Sequence, residues 1–244
     1  MVKRAVDETI ARSILGDANV FGPSSWAECF PEFFRFTKQE RETMLAELTE
    51  SNASIAEFEA KRESHFLIYQ LAKDAFGQPL TLVRFNEIRL RAGLPLFFRP
   101  YTSLDDESFA KKTVCRSGWH LMRKDVLPGS EGRTYDLSPR PIDVENGYCR
   151  QDCTQVELLA RIAPDEEVPL AVEEVIKLCC YFARNKLWLH PLRCARCQDI
   201  ASYGATIYVG GCSNIGVALG CATRNASGDI LGLATTRRLG RVSA

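Results

Sequence analysis

The sequence predicts an α+β protein, with a helical N-terminal region over 1–62 and a mixed region over 63–244 that ends in a short-stranded antiparallel sheet. Three observations carry this. Helix-capping signals and apolar residues at three- and four-residue spacing fill the first 62 positions. Apolar segments rich in β-formers begin at His65. After His190 the composition shifts to small residues and short polar turns.

In chain order, Ile10, Ile14 and Leu15 share one face of a short helix that closes near Gly16. Ser24 or Ser25 can cap a second helix. Thr37 stands three residues before Glu40, the capping-box spacing, and opens a charged helix that runs to Leu48. Ile55, Phe58 and Arg62 suit one more. His65 to Leu71 is apolar, and its periodicity does not separate a strand from a short buried helix. Leu80 to Phe85 favours a strand, and Gly118 to Lys124 reads as another. Leu94 to Pro100 is too proline-bound for a long helix. Residues 127–147, dense in Pro, Gly, Ser and Asp, read as a loop. The clearest helix follows: Asp165, Glu166 and Glu167 place negative charge at its start, Pro169 fits a first turn, and Val172, Val175, Ile176, Cys179 and Ala183 share one buried face. It breaks near Asn185, where Leu187 begins an extended segment.

Bulk properties narrow the function classes. The 244 residues are 45% hydrophobic and 25% charged, and the formal net charge is zero. Nothing global draws such a chain to nucleic acid or an anionic surface. No apolar run approaches the roughly 20 residues that a membrane-spanning helix needs. The N-terminus lacks the apolar core of a signal peptide, which points to the cytoplasm. Ten cysteines in such a chain read chiefly as buried, reduced thiols.

Residues 191–244 form a candidate ligand-binding module. They contain no Lys, Glu, Phe, Met or Trp, and six arginines against two aspartates give the segment a charge of +4. Strands are expected over Ala205 to Val209, Gly216 to Leu219 and Ile230 to Thr235, joined by Gly, Ser and Asn turns as an antiparallel meander. Small polar turns on a rigid sheet suit adaptable contacts.

Several segments together resemble a large bacterial protein family of undetermined function from small-genome lineages. They are Gly118 to Lys124, Asp165 to Pro169 with its helix, Leu192 to Cys194, Ile207 to Gly210, Gly216 with Val217, and Leu231 to Arg238. The ending is similar to the variable region of proteins diversified by retroelements. In such systems adenine-directed mutation of asparagine codons yields Asn, Ser, Tyr, Cys, Thr, Asp and Gly but never Lys, Glu, Met or Trp. The turn that carries glycine and tryptophan in better-known members reads Gly210, Gly211, Cys212 here. The resemblance implies a C-type-lectin-like fold over 63–244, presenting a diversified face to a protein or surface ligand. It makes Tyr203, Tyr208, Cys212, Ser213, Asn214, Cys221, Thr223, Asn225 and Ser227 the candidate contact positions, with Gly210, Gly216 and Gly232 held fixed.

The main rival is a structural zinc site in a regulatory or nucleic-acid-associated protein. Cys194 and Cys197 have knuckle spacing, and Cys149 with Cys153 would supply the second pair of a tetrahedral set. The expectation is nonetheless no cofactor and no catalysis. There is no nucleophile elbow, phosphate loop or dinucleotide fingerprint. The three histidines, His65, His120 and His190, sit in apolar surroundings that suit packing more than base chemistry. A helix-turn-helix around Phe21 to Pro23 would carry Glu28 and Glu32 where a DNA-reading helix is basic, which argues against nucleic acid.

Overall fold

The computed structural model describes residues 6–98, 106–131, 162–202, 204–213, 216–222 and 230–240, the backbone alone over Leu96–Phe98. The α+β class holds: seven α-helices and two mixed sheets are formed among these residues.

The N-terminal helices follow their local signals. Helix α1 (Glu8–Leu15) is capped by the Asp7 carboxylate and stops at Gly16, whose φ of 89° lies where glycine is favoured. Helix α2 (Pro23–Cys29) starts with Pro23 at its first position, so Gly22 rather than a serine precedes it. Ser25 is buried instead and accepts from Arg184 at 2.7 Å. Helix α3 (Lys38–Thr49) has the full Thr37–Glu40 capping box, and α4 (Ile55–Lys61) is capped by Ser54.

These helices are not a separate unit. Between α1 and α2 the chain contributes β1 (Val20–Phe21), which pairs in parallel with β2 (His65–Gln70) in the first sheet. That sheet continues through β4 (Gly118–Arg123) to β9 (Thr236–Leu239) in the order β1-β2-β4-β9. Apolar side chains from Val6 to Leu239 form one core, so packing does not divide the chain after residue 62.

All six residues of β2 are buried because both faces of the sheet are covered. Phe66 meets Tyr181 edge-on at 5.5 Å and Gln70 donates to the Glu173 carbonyl, both from helix α7 (Ala171–Asn185). On the opposite face Tyr69 packs edge-on against Trp119, whose indole N–H donates to the Met44 carbonyl of α3.

The expected strand over Leu80 to Phe85 is instead helix α5 (Leu82–Arg91). The Thr81 side chain accepts from the Arg84 N–H, and Leu82, Phe85, Ile88 and Arg89 turn into the core at helical spacing. The cap and the three- and four-residue period outweigh the β-propensity of a six-residue window. Strand β3 (Leu96–Phe98) and helix α6 (Ser108–Lys112) follow.

Helix α7 also begins later than expected. Asp165 to Glu167 precede it, and the acids of its first turn are Glu173 and Glu174. Every residue from Ala171 to Cys180 is buried, because α7 lies between the two sheets. Its polar side is therefore satisfied internally. Arg116 grips Glu173 through two 2.7 Å contacts, and Lys177 pairs with Glu174 at 2.5 Å.

The second sheet contains β5 (Cys194–Ile200), β6 (Thr206–Ser213), β7 (Gly216–Ala222) and β8 (Leu231–Leu233), in the order β3-β7-β6-β5-β8. Strands β5, β6 and β7 are antiparallel neighbours. The predicted meander breaks at β8, which crosses over to pair in parallel with β5. Only Ala234 and Thr235 separate β8 from β9, so the chain steps from the second sheet into the first and ties them together.

Candidate recognition face

Alternation along β6 and β7 divides the second sheet into two unlike faces. Ile207, Val209, Val217 and Leu219 turn inward to the main core. The outer face carries the cross-strand rows Cys194–Gly210–Ala218 and Arg196–Tyr208–Gly220. Apart from Arg196 and Tyr208 these are small residues.

The glycines of this face have steric causes. Gly210 has φ of 144°, and a Cβ there would run into the Arg193 carbonyl oxygen and stand 2.8 Å from the Cys194 Cα. Gly216 has φ of 132° at the start of β7. A Cβ on Gly232 would stand 2.6 Å from Val126 Cγ2 and 2.9 Å from Ser130 Oγ. All three sites exclude a side chain, through backbone conformation, close approach or both.

The candidate contact positions separate on this frame. Ser213 is exposed at the end of β6, and Tyr208 is half-buried on the outer face. Cys212, by contrast, is 2% exposed and part of the core. Pairing runs from Gly210↔Ala218 to Ser213↔Gly216, three steps on β6 against two on β7. The extra residue is a bulge that turns the Cys212 thiol inward. Cys212 is therefore a packing residue, with its thiol pKa pushed well up by burial. Cys221 shares the parity of Val217 and Leu219 and packs against the main core from a half-buried position. Tyr203, Asn214, Thr223, Asn225 and Ser227 lie outside the described residues. Register does place the end of β5 and the end of β7 together, since Ile200 and Ala222 both pair with Thr206.

Cys194 and Cys197 are not brought together. They lie three residues apart in one strand, and alternation sends them to opposite faces. Cys194 joins Tyr208, Ala222 and Leu231 outside, whereas Cys197 enters the main core. Burial raises the Cys194 thiol to about 11 and Cys197 further, which disfavours the thiolate a metal requires. Cys149 and Cys153 lie outside the described residues. Among those described, no three His, Cys, Asp or Glu side chains gather as metal ligands.

Polar anchors fix the sheet from beneath. The Asp199 carboxylate, on β5, accepts from the Ala171 N–H at 2.6 Å and so caps α7 from another element. Burial raises its pKa, and the bond from Ala171 opposes that rise. Glu107 accepts from both the N–H and the hydroxyl of Ser202 in the β5–β6 turn. Before β5, buried His190 places Nε2 at 3.2 Å from Lys177 Nζ and Nδ1 at 3.4 Å from Asp125 Oδ1. The same Nε2 lies 3.4 Å from Glu174 Oε1, so the ring stands between one ammonium and two carboxylates. His190, helped by Arg193, pushes the Asp125 carboxyl down to about 2. Burial opposes ionisation of Glu174, but Lys177 and His190 outweigh it and hold its pKa below the ordinary value. Sequence reasoning singles out neither Glu107 nor Asp199, since each reaches its partner only through tertiary contact.

Comparison of the chain with protein-family models, with curated proteins and with solved structures finds no match in any of the three. No helix among the described residues is long and apolar enough to cross a membrane.

Proposed function

We propose that this chain is a recognition protein without catalysis, whose second sheet displays a diversified surface to a protein or surface ligand. One observation carries the reading. The three glycines expected to stay fixed, Gly210, Gly216 and Gly232, each occupy a position that excludes a side chain, while Ser213, one residue past the bulge, is exposed. A sheet whose backbone is set by glycines tolerates exchange at its exposed positions, because those side chains carry little of the packing. Four of the five residue types absent from 191–244, namely Lys, Glu, Met and Trp, agree with adenine-directed exchange as the source of variation, whereas the absence of Phe is not required by it. A C-type-lectin-like arrangement and cytoplasmic placement belong to the same proposal.

The genomic locus tests it. A reverse-transcriptase gene beside a near-duplicate of the coding segment for 191–244 is the expected result. A locus with neither contradicts the retroelement origin.

A further inference from the structure

Residues 125–131 leave the first sheet after β4 and run along the edge of β8 that β5 does not use. Leu127 donates its N–H to the Leu233 carbonyl at 2.8 Å, and the Leu233 N–H donates in return to Ser130 Oγ at 2.9 Å. Side chains grip this edge from two sides. Val126 packs with Ala195 and Ala234 against Gly232, and Leu127 packs with Val168 and Leu233. Among the described residues these two clusters stand apart from the main core.

The segment holds its own shape. The Ser130 N–H donates to the Leu127 carbonyl at 3.0 Å and closes a turn with Pro128 second and Gly129 third. Gly129 has φ of 74°, as the third position of a type II turn requires. The root is pinned: the Lys124 N–H donates to the Ser64 carbonyl and the Lys177 ammonium to the Arg123 carbonyl, each at 2.8 Å. Past the root, Arg193 Nη1 stands 2.5 Å from Asp125 Oδ2 and 3.3 Å from Glu131 Oε1, so one guanidinium joins the two ends. Arg193 and Asp125 are both about half exposed, where ion pairs contribute little and salt screens them. His190 Nδ1, buried beside Asp125, adds a contact at 3.4 Å.

We propose that residues 125–131 form a strap that opens as one unit while both sheets stay folded, with Arg193 as its latch. Segments open locally when few buried contacts tie them to the core. Opening breaks the two bonds to Leu233, lifts Val126 off Gly232 and leaves the preformed turn intact. It bares the main-chain edge of β8. The inference stands on this geometry and is independent of the recognition reading.

Native-state amide exchange tests it, read by NMR across urea concentrations below the unfolding transition. The Leu127 and Leu233 amides are expected to show equal protection, roughly 100-fold or more below that of Leu121, whose strand is paired on both sides. Urea is expected to change the two strap amides little, because the strap exposes little surface, and to erode Leu121 protection steeply. Leu127 and Leu233 matching Leu121 in protection and urea dependence overturns the proposal, since the strap then opens only with the whole fold. Unequal protection of Leu127 and Leu233 overturns it as well, since the strap is then not a unit. Arg193→Gln is expected to lower the protection of both strap amides together by about 3- to 20-fold. No change in either overturns the latch. Should Arg193→Gln not fold, wild type in about 1 M NaCl takes its place, because salt screens the exposed pairs. A matched loss of protection at Leu127 and Leu233 then supports the latch, and unchanged protection overturns it.

Discussion

The two sheets share one molecule and obey different rules. The first is sealed on both faces: β2 has no exposed residue, and Trp119, Phe66 and Tyr69 fill its surroundings with large rings. The second packs branched apolar side chains on its inner face, and its outer face carries glycine, alanine and cysteine beside Arg196 and Tyr208, with Cys194 and Arg196 buried as well. A sheet covered twice is specified by what fills its sides. A sheet face of small residues can be specified by its backbone, through residues that have no side chain, leaving exposed positions such as Ser213 free to differ. That contrast underlies the functional proposal, and mutation can sharpen or break it.

The largest effect is expected in the first sheet. Trp119→Ala removes a fully buried ring and its bond to the Met44 carbonyl, and is expected to cost about 3–5 kcal/mol in denaturant unfolding. A loss below about 1 kcal/mol would mean that this sheet is not the rigid half.

Next comes pH. Burial in β4 lowers the His120 pKa to about 4, so the folded chain holds this ring neutral where the unfolded chain protonates it. The associated stability is complete above about pH 6.5 and is lost as pH falls through about 4, on the order of 3 kcal/mol in all. Urea midpoints across this window should fall for wild type and fall less for His120→Gln. Parallel profiles would remove the assignment.

The glycine frame comes third. Gly232→Ala drives a methyl into Val126 and Ser130 and is expected to cost about 1–3 kcal/mol, seen as a lower melting temperature. Smallest is the display position. Ser213→Tyr, at an exposed strand end, is expected to stay within about 0.5 kcal/mol of wild type. Equal costs at Gly232 and Ser213 would erase the distinction between frame and display.

How much the sequence revealed follows the same divide. Capping chemistry is local, so α1, α3 and α4 were legible from Gly16, the Thr37–Glu40 pair and the spacing of Ile55 and Phe58. β2 was ambiguous because a strand buried on both faces loses its alternation. Leu82 and Phe85 suggested a strand, although Thr81 was already in place as a helix cap. β5 was missed altogether: Arg196, Gln198 and Asp199 do not read as a strand, and pairing with β6 and β8 on either side makes it one. At the candidate face, the glycines were visible as turn residues, but their steric roles depend on Arg193, Val126 and Ser130, distant in sequence or placed only by folding. Cys212 was misplaced for a related reason, since one extra residue in β6 reverses the face that simple alternation assigns.

The central claim is that residues 191–244 pair a fixed glycine frame with exchangeable display positions. Deep sequencing of this coding segment across a natural population of the source cells tests it most directly. The account predicts substitutions concentrated at adenine-bearing codons of display positions such as Tyr208, Ser213 and Asn214, with Gly210, Gly216 and Gly232 unchanged. Substitutions spread evenly along the chain, or falling on those three glycines as often as on Ser213, would contradict it.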